Sequence, residues 1–385
     1  MTDTGELSAR DIAQMLNAQA EALAWSLFPA GHKAGGFFCI GSIDGEKGQS
    51  LKIRLKGSRQ GTWADYSKAR GEPGAQGDML KLLQATIADG DLAAAVREAK
   101  KFLNLESMDP RALERQRKRA QLSAERAALR EASDKEKTRI NARRLWWAAS
   151  PLTPSSPPVL YLQGRGIDFA HLGKLPGAIR FHRGVWQPEL RREVPAMVTA
   201  FTDLSGQHAG THCTFLQREA DGRWVKLRGV ATVKKIVGRT YWGAHIPLWK
   251  GVQRGKLADI RPGTPVDVAE GIEDGLSFAM ADPAARVIAA GTLGNIAALR
   301  LPPQAGTMNI LAQRDPDGSM AAASLEKAIA DQQRIARSDG SGRQVACRWT
   351  PEGIKDWNDW LQQLRRDDAD ADADAQGEPD GEQDR

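Results

Sequence analysis

The sequence predicts a multidomain protein of mixed α/β and α+β class. A Rossmann-like parallel sheet with flanking helices is expected at the C-terminal end, preceded by an α+β region and a small N-terminal β-rich module. Three observations carry this expectation. Apolar strand-like runs and helical stretches alternate repeatedly between 264 and 365, the pattern of a parallel sheet with helices packed on its faces. Residues 111–149 contain neither glycine nor proline and are rich in Arg, Lys, Glu and Ala, which favours a long solvated helix. Residues 35–66 change to strand period.

Taken in order, 7–27 read as helical, with Ser8 and Asp11 near a cap and Ile12, Leu16, Leu23 and Leu27 at helical spacing. Strands are expected at 35–40, at 51–55, where apolar and basic residues alternate, and at 62–66. Helices follow at 78–83 and 92–102, completing a module over 1–105. A basic helical connector spans 106–150, and the proline-rich stretch 151–158 breaks it. The α+β region covers 151–260, with strands at 178–181, 196–201 and 208–215. The turn Asp203-Leu204-Ser205-Gly206 joins the last two as a hairpin. The parallel sheet occupies 261–366, with strands at 266–269, 286–290, 308–312 and 344–347. The acidic tail 367–385 has too few apolar residues to fold and is expected to be disordered.

Charge narrows the function. The net charge is +6, but the tail 367–385 holds nine acids and one arginine, which leaves +14 on 1–366. Such an excess suits a polyanionic partner. Lys226, Arg228, Lys234, Lys235 and Arg239 follow one another closely, with Trp224 just before them and Tyr241 and Trp242 just after. Cations mixed with aromatics suit single-stranded nucleic acid, although a polar sheet face with a few anchoring aromatics looks similar. Cys39, Cys213 and Cys347 form no CxxC pair and no Cys/His ligand spacing, so no zinc is expected. No apolar run approaches the length of a membrane span and the first residues are polar, so a cytoplasmic location without membrane contact is expected.

The chemistry lies in acids placed after apolar runs. Glu270-Gly271-Ile272-Glu273-Asp274, Asp315-Pro316-Asp317-Gly318 and Lys355-Asp356-Trp357-Asn358-Asp359 each follow an expected strand. Ligands of parallel sheets gather beyond the carboxyl ends of the strands. Asp-x-Asp at a strand end would point both carboxylates to one side, and such a pair calls for a cation between them. Alone, Asp-Pro-Asp-Gly also fits an ordinary turn; the three clusters in this order are far more specific.

Val268-Ala269-Glu270-Gly271-Ile272-Glu273-Asp274-Gly275-Leu276-Ser277, with Asp315-Pro316-Asp317-Gly318 and Lys355-Asp356-Trp357-Asn358-Asp359-Trp360-Leu361, resembles the Toprim domain of bacterial, phage and plasmid DNA primases. The resemblance implies catalytic roles for Glu270, Asp315 and Asp317. It implies Mg²⁺, with Mn²⁺ as the alternative ion, at a site built from Glu270, Asp274, Asp315, Asp317 and Asp356. More loosely, 195–214 resembles the primase core sheet, whose basic face guides template and nucleotides, and Lys234 and Lys235 are the candidates for that role; Lys226, Arg228, Arg239 and Lys355 are further candidates for contact with nucleic acid or nucleotide. Residues 62–67 and 77–82 resemble the end of the primase zinc-binding module, here without the Cys and His ligands. The implied activity is synthesis of short RNA primers for replication of a phage, plasmid or other mobile element. Its implied partners are a single-stranded DNA template and nucleoside triphosphates. A separate replicative helicase is implied as well, because the sequence contains no G-x-x-x-x-G-K-[ST] loop. A Toprim nuclease would use the same acids with water in place of the hydroxyl, and a non-catalytic DNA-binding or regulatory protein is the third reading. A topoisomerase fits less well, since Tyr66, Tyr161 and Tyr241 lack a recognisable cleavage context.

Overall fold

The structure is a computed structural model that describes residues 7–68, 74–105 and 109–376. The chain divides into two compact units, Met1–Asp134 and Lys135–Arg385.

In the first unit, α1 (Ala9–Ala18) starts at Ser8, whose side chain accepts from the Asp11 N–H while Asp11 reaches back to the Ser8 N–H. This reciprocal box satisfies donors that the first turn leaves open. The helix expected over 7–27 is interrupted at Gln19, and α2 (Ala20–Leu27) continues from there. Strands β1 (His32–Ala34), β2 (Phe37–Ile40), β3 (Leu51–Arg54), β4 (Trp63–Asp65) and β5 (Gln76–Gly77) form an antiparallel sheet in sequential order. On β3, Leu51 and Ile53 are buried while Lys52 and Arg54 lie on the other face. Helices α3 (Met79–Thr86) and α4 (Leu92–Phe102) begin at Asp78 and Asp91, each side chain accepting a backbone N–H of the first turn.

One core holds this unit: Ile12, Leu16, Leu23, Phe38, Ile53, Trp63 and Leu82, among others, are buried together. Hydrogen bonds fasten its loops. The Trp63 indole donates to the Asp78 carbonyl (3.0 Å), and the Asn17 carboxamide accepts from the Met79 N–H (3.1 Å). Cys39 is buried, and among the described residues no cluster of His, Cys, Asp and Glu could hold a metal ion.

The long helix α5 (Pro110–Ala148) begins in the first unit and ends in the second. In the second unit, an antiparallel sheet contains β6 (Ser150–Pro151), β7 (Ile179–Gln187), β8 (Arg192–Thr202) and β9 (His208–Arg218). Two short strands share the outer edge of β9: β10 (Trp224–Lys226) pairs with 216–218 and β11 (Lys234–Val237) with 211–214. Helices α6 (Pro157–Gln163) and α7 (Phe169–Leu172) precede β7.

The third sheet has the order β12-β14-β13-β15-β16. Strands β13 (Thr264–Ala269), β14 (Val287–Ala289), β15 (Ala305–Ala312) and β16 (Gln344–Trp349) are parallel, with Val268 beside both Ile288 and Ile310. Strand β12 (Ile246–Trp249), which the sequence places in the preceding region, joins the edge antiparallel to β14. Its Pro247 explains why the strand is hard to read: proline breaks a strand pattern and is tolerated at an edge. Helices α8 (Ile272–Ala281) and α11 (Trp357–Gln376) cover one face, and α9 (Leu293–Ala298) and α10 (Met320–Ser338) the other. Burial on both faces is what makes β13 and β15 nearly continuous apolar runs. Gly275 lets α8 lie close to the sheet: a Cβ there would come within 2.5 Å of Leu248 and 3.2 Å of the Ala269 Cβ. The backbone of α11 runs to Gln376, into the stretch expected to be disordered, where alanines alternate with aspartates. Residues 377–385 of that stretch lie outside the described residues.

The first unit therefore depends on its apolar core. Trp63→Ala is expected to destabilise it by about 3–5 kcal/mol, read by denaturant unfolding. EDTA should leave its melting temperature unchanged; a fall of many degrees would mean that a metal contributes to the fold.

Candidate active site

Strand β13 ends at Ala269, and Glu270 is the next residue. Its Oε1 accepts from the Leu293 N–H at the start of α9 (3.3 Å). Gly271 then turns the chain into α8; a Cβ on it would stand 2.8 Å from the Asp274 Oδ2. Glu273 and Asp274 lie in the first turn of α8, where carboxylates are favoured by the helix dipole, and both are buried. Gln313, just past β15, donates to the Asp274 carboxylate (2.8 Å). Asp356 accepts from the Asp359 N–H (2.8 Å) at the start of α11. The Arg314 N–H donates to the Lys355 carbonyl (2.9 Å), which ties the loop after β15 to the loop before α11.

Asp315 and Asp317 do not stand at a strand end as expected. Strand β15 ends at Ala312, so neither residue belongs to it, and the strand alternation expected to aim both carboxylates together does not apply. Pro316 cannot extend a ladder, Gly318 takes a left-handed conformation (φ 73°), and Ser319 opens α10. Asp315 is half-buried and Asp317 exposed.

The carboxylates act on one another in pairs. Burial raises the Glu270 pKa and Asp315 adds to the rise, while the Leu293 N–H and Lys234 oppose it. Burial, then Asp356 and Glu273, push Asp274 up to about 6 against Gln313 and Lys234. Among the described residues no three such side chains converge closely enough to hold a metal ion as they stand. The donors nevertheless suit a hard divalent cation: they are all carboxylate oxygens, and the half-buried Glu270 and the buried Asp274 each lie next to like charge.

Glu273 is the residue that sequence reasoning missed. Burial works to raise its pKa, but Lys234 and Lys226 overcome this and hold it well below the carboxylate range. Lys226 Nζ lies 2.9 Å from its Oε1 and Lys234 Nζ 3.5 Å from its Oε2. The Tyr161 hydroxyl donates to Oε1 (2.8 Å). Beside them His212 is buried and kept neutral, its pKa lowered to about 4 by burial and by Lys234. The acid run at the head of α8 was a signal for Glu273, but the partners come from β10, β11 and α6, which sequence spacing does not connect.

The expected basic residues separate. Lys234 faces the acids, whereas Lys235, the next residue on β11, faces away; its ammonium donates to the Trp186 carbonyl and lies 5.3 Å from the Phe215 ring centroid. Successive strand residues point to opposite faces, so the two lysines cannot serve one ligand on one face. Arg228 pairs with Glu219 (3.4 Å). Arg239 and Lys355 are exposed. Lys226 and Arg228 also line a cleft of about 720 Å³ with Arg165, Arg218, Arg223 and Trp224.

The Asp274 carboxyl makes stability depend on pH. Its folded pKa lies above its ordinary value of 3.8, so the folded state binds more protons between about pH 4 and 6 and loses stability as pH rises through that window. Asp274→Asn is expected to flatten this loss and to raise the melting temperature at pH 8 by several degrees in the absence of divalent ions. Thermal melts from pH 4 to 8 check it; parallel curves for the two proteins would contradict it.

Two family models match the chain, both within the second unit. Residues 266–367 match the model of the Toprim domain, and residues 136–247 match a domain of unknown function (DUF7146). No curated protein matches the chain. Among solved structures, the chain is similar to the zinc-binding and RNA polymerase domains of the Aquifex aeolicus primase, at 13% identity and TM-score 0.36, covering 95% of this chain and 85% of that one. It is similar to the E. coli primase catalytic core at 17% identity and TM-score 0.36, covering 57% and 73%. It is similar to the primase fragment of the bacteriophage T7 primase-helicase protein at 14% identity and TM-score 0.31, covering 59% and 78%. The four parallel strands, the acids beyond their carboxyl ends and the matched model agree: the C-terminal part of the chain, residues 266–367, is a Toprim domain.

Proposed function

We propose that the protein is a primase-like nucleotidyltransferase that condenses ribonucleotides on a single-stranded DNA template. The observation that carries this reading is the Toprim domain's buried carboxylates facing lysines of the antiparallel sheet, with Lys234 acting on Glu270, Glu273 and Asp274. Nucleotidyl transfer needs both halves: acids for cations and a proton, and fixed positive charge for a triphosphate.

Glu270, Asp274, Asp315, Asp317 and Asp356 would hold Mg²⁺, or Mn²⁺ in its place. A bound cation lowers the pKa of an attacking hydroxyl and offsets phosphate charge. The 3′-hydroxyl oxygen attacks the α-phosphorus, its proton leaves, and pyrophosphate departs. Glu270 fits the proton's destination, because burial raises the basicity of its carboxylate. Lys234, anchored by Glu273, supplies positive charge beside it. Lys226, Arg228 and the arginines of the neighbouring cleft suit phosphates of template or nucleotide. The same reading places the protein in the cytoplasm, serving a phage, plasmid or other mobile element beside a separate helicase. Among the described residues no helix is long and apolar enough to cross a membrane.

The test uses single-stranded DNA, labelled ribonucleotides and Mg²⁺ or Mn²⁺. Short labelled oligomers are expected, with yields at least about 100-fold lower for Glu270→Ala and Asp315→Ala. Shortened template without oligomers would replace this reading with a nuclease. Salt-sensitive binding with neither product would leave a non-catalytic DNA-binding protein.

A further inference from the structure

We infer that a second cleft in the Lys135–Arg385 unit binds single-stranded nucleic acid on the sheet face opposite the carboxylates. The cleft has a volume of about 980 Å³ and is lined by Arg143, Trp147, Lys174, Trp249, Lys250 and Arg254, among others. It shares no lining residue with the acidic site or with the Lys226 cleft.

Strand alternation separates the two faces. Ala196, Val198 and Ala200 of β8 pack with Trp146 and Cys213, whereas Met197 and Phe201 pack towards Ala269 and Ile272. On β9, Thr211 donates to the Ala142 carbonyl of α5 (2.8 Å), while His212 lies beside Lys234 and Glu273. Ala200 lines the second cleft together with Arg143, Trp146 and Trp147 of α5, which puts it on the α5 side.

Its chemistry suits a polyanion bearing aromatic bases. No Asp or Glu lines the cleft among the described residues, and Glu136 is taken by Arg139 (2.7 Å). The cations come from three separate segments: the end of α5, the chain between α7 and β7, and the chain after β12. Charge is therefore spread along the cleft instead of converging on one phosphate, which favours a strand over a mononucleotide. Trp147 is 62% exposed, with the Arg180 guanidinium 5.0 Å from its ring centroid. The Lys174 ammonium lies 4.3 Å from the ring centroid of Trp249. The exposed indole offers a stacking surface for a base, and the cations around it offer counter-charge to the phosphates on either side.

The inference rests on single-stranded DNA being a ligand of the protein but not on catalysis. Its test is fluorescence anisotropy of the full chain with a labelled oligodeoxythymidylate of about twenty nucleotides, without nucleotides or divalent ions. The double variant Arg143→Gln/Arg254→Gln is expected to weaken binding at least about 10-fold and to lower the salt slope by about 2. Trp147→Ala should weaken it about 5-fold or more. All three positions are exposed, and unchanged melting temperatures confirm folding. Affinity and slope equal to wild type would overturn the inference, as would displacement of the oligomer by equimolar dTTP. Should a variant fail to fold, photo-crosslinking of wild type to 4-thiothymidine oligomers decides: adducts within 143–147 or 249–254 support the cleft, and adducts confined to other segments refute it. Absent primer synthesis with these binding results intact would overturn the primase reading alone.

Discussion

Glu273 is the point on which the C-terminal unit turns. A buried carboxylate without counter-charge would be protonated or would destabilise the fold. This one is met by two lysines from short strands of the antiparallel sheet and by the Tyr161 hydroxyl. Those contacts join the head of α8 to a different sheet. They also fix Lys234 beside Glu270 and Asp274, whose own burial leaves them short of positive charge. The lysines are partly exposed, so their attraction is screened by solvent; the cost of burying Glu273 alone is what makes the cluster matter.

The two sheets are further joined by a backbone bridge. The Thr202 N–H donates to the His245 carbonyl (2.7 Å), and the His245 N–H to the Thr202 carbonyl (3.0 Å). Strand β12 follows directly, so the residue pair that ends β8 also starts the edge of the parallel sheet. The acids and the basic surface are held in one framework by this bridge, by the Glu273 cluster and by a shared apolar core.

Much of this was legible in the sequence. Strands β13, β14 and β15 are buried and appear as apolar runs, and the long helix α10 carries its apolar residues at helical spacing. The stretch without glycine or proline that precedes the break at 151–158 likewise matches α5. What was not legible depends on pairing across the sheet. The strands β5 and β6 are two residues each and carry no periodicity. The orientation of Asp315 and Asp317 followed from where β15 stops, which spacing alone did not determine. Lys234 and Lys235 look equivalent in a row of cations, yet the pleat sends them to opposite faces. Glu273 was visible as an acid but its partners were not, since they are brought to it by β10, β11 and α6.

A double-mutant cycle between Lys234 and Glu273 tests the account most directly. Lys234→Met, Glu273→Gln and the combined variant would be unfolded in denaturant beside the wild type. The two single losses are expected to sum to more than the combined loss, with a coupling of about 1–3 kcal/mol. Strictly additive losses would show that Glu273 does not hold the lysine, and the link between the basic sheet and the acids would fail with it.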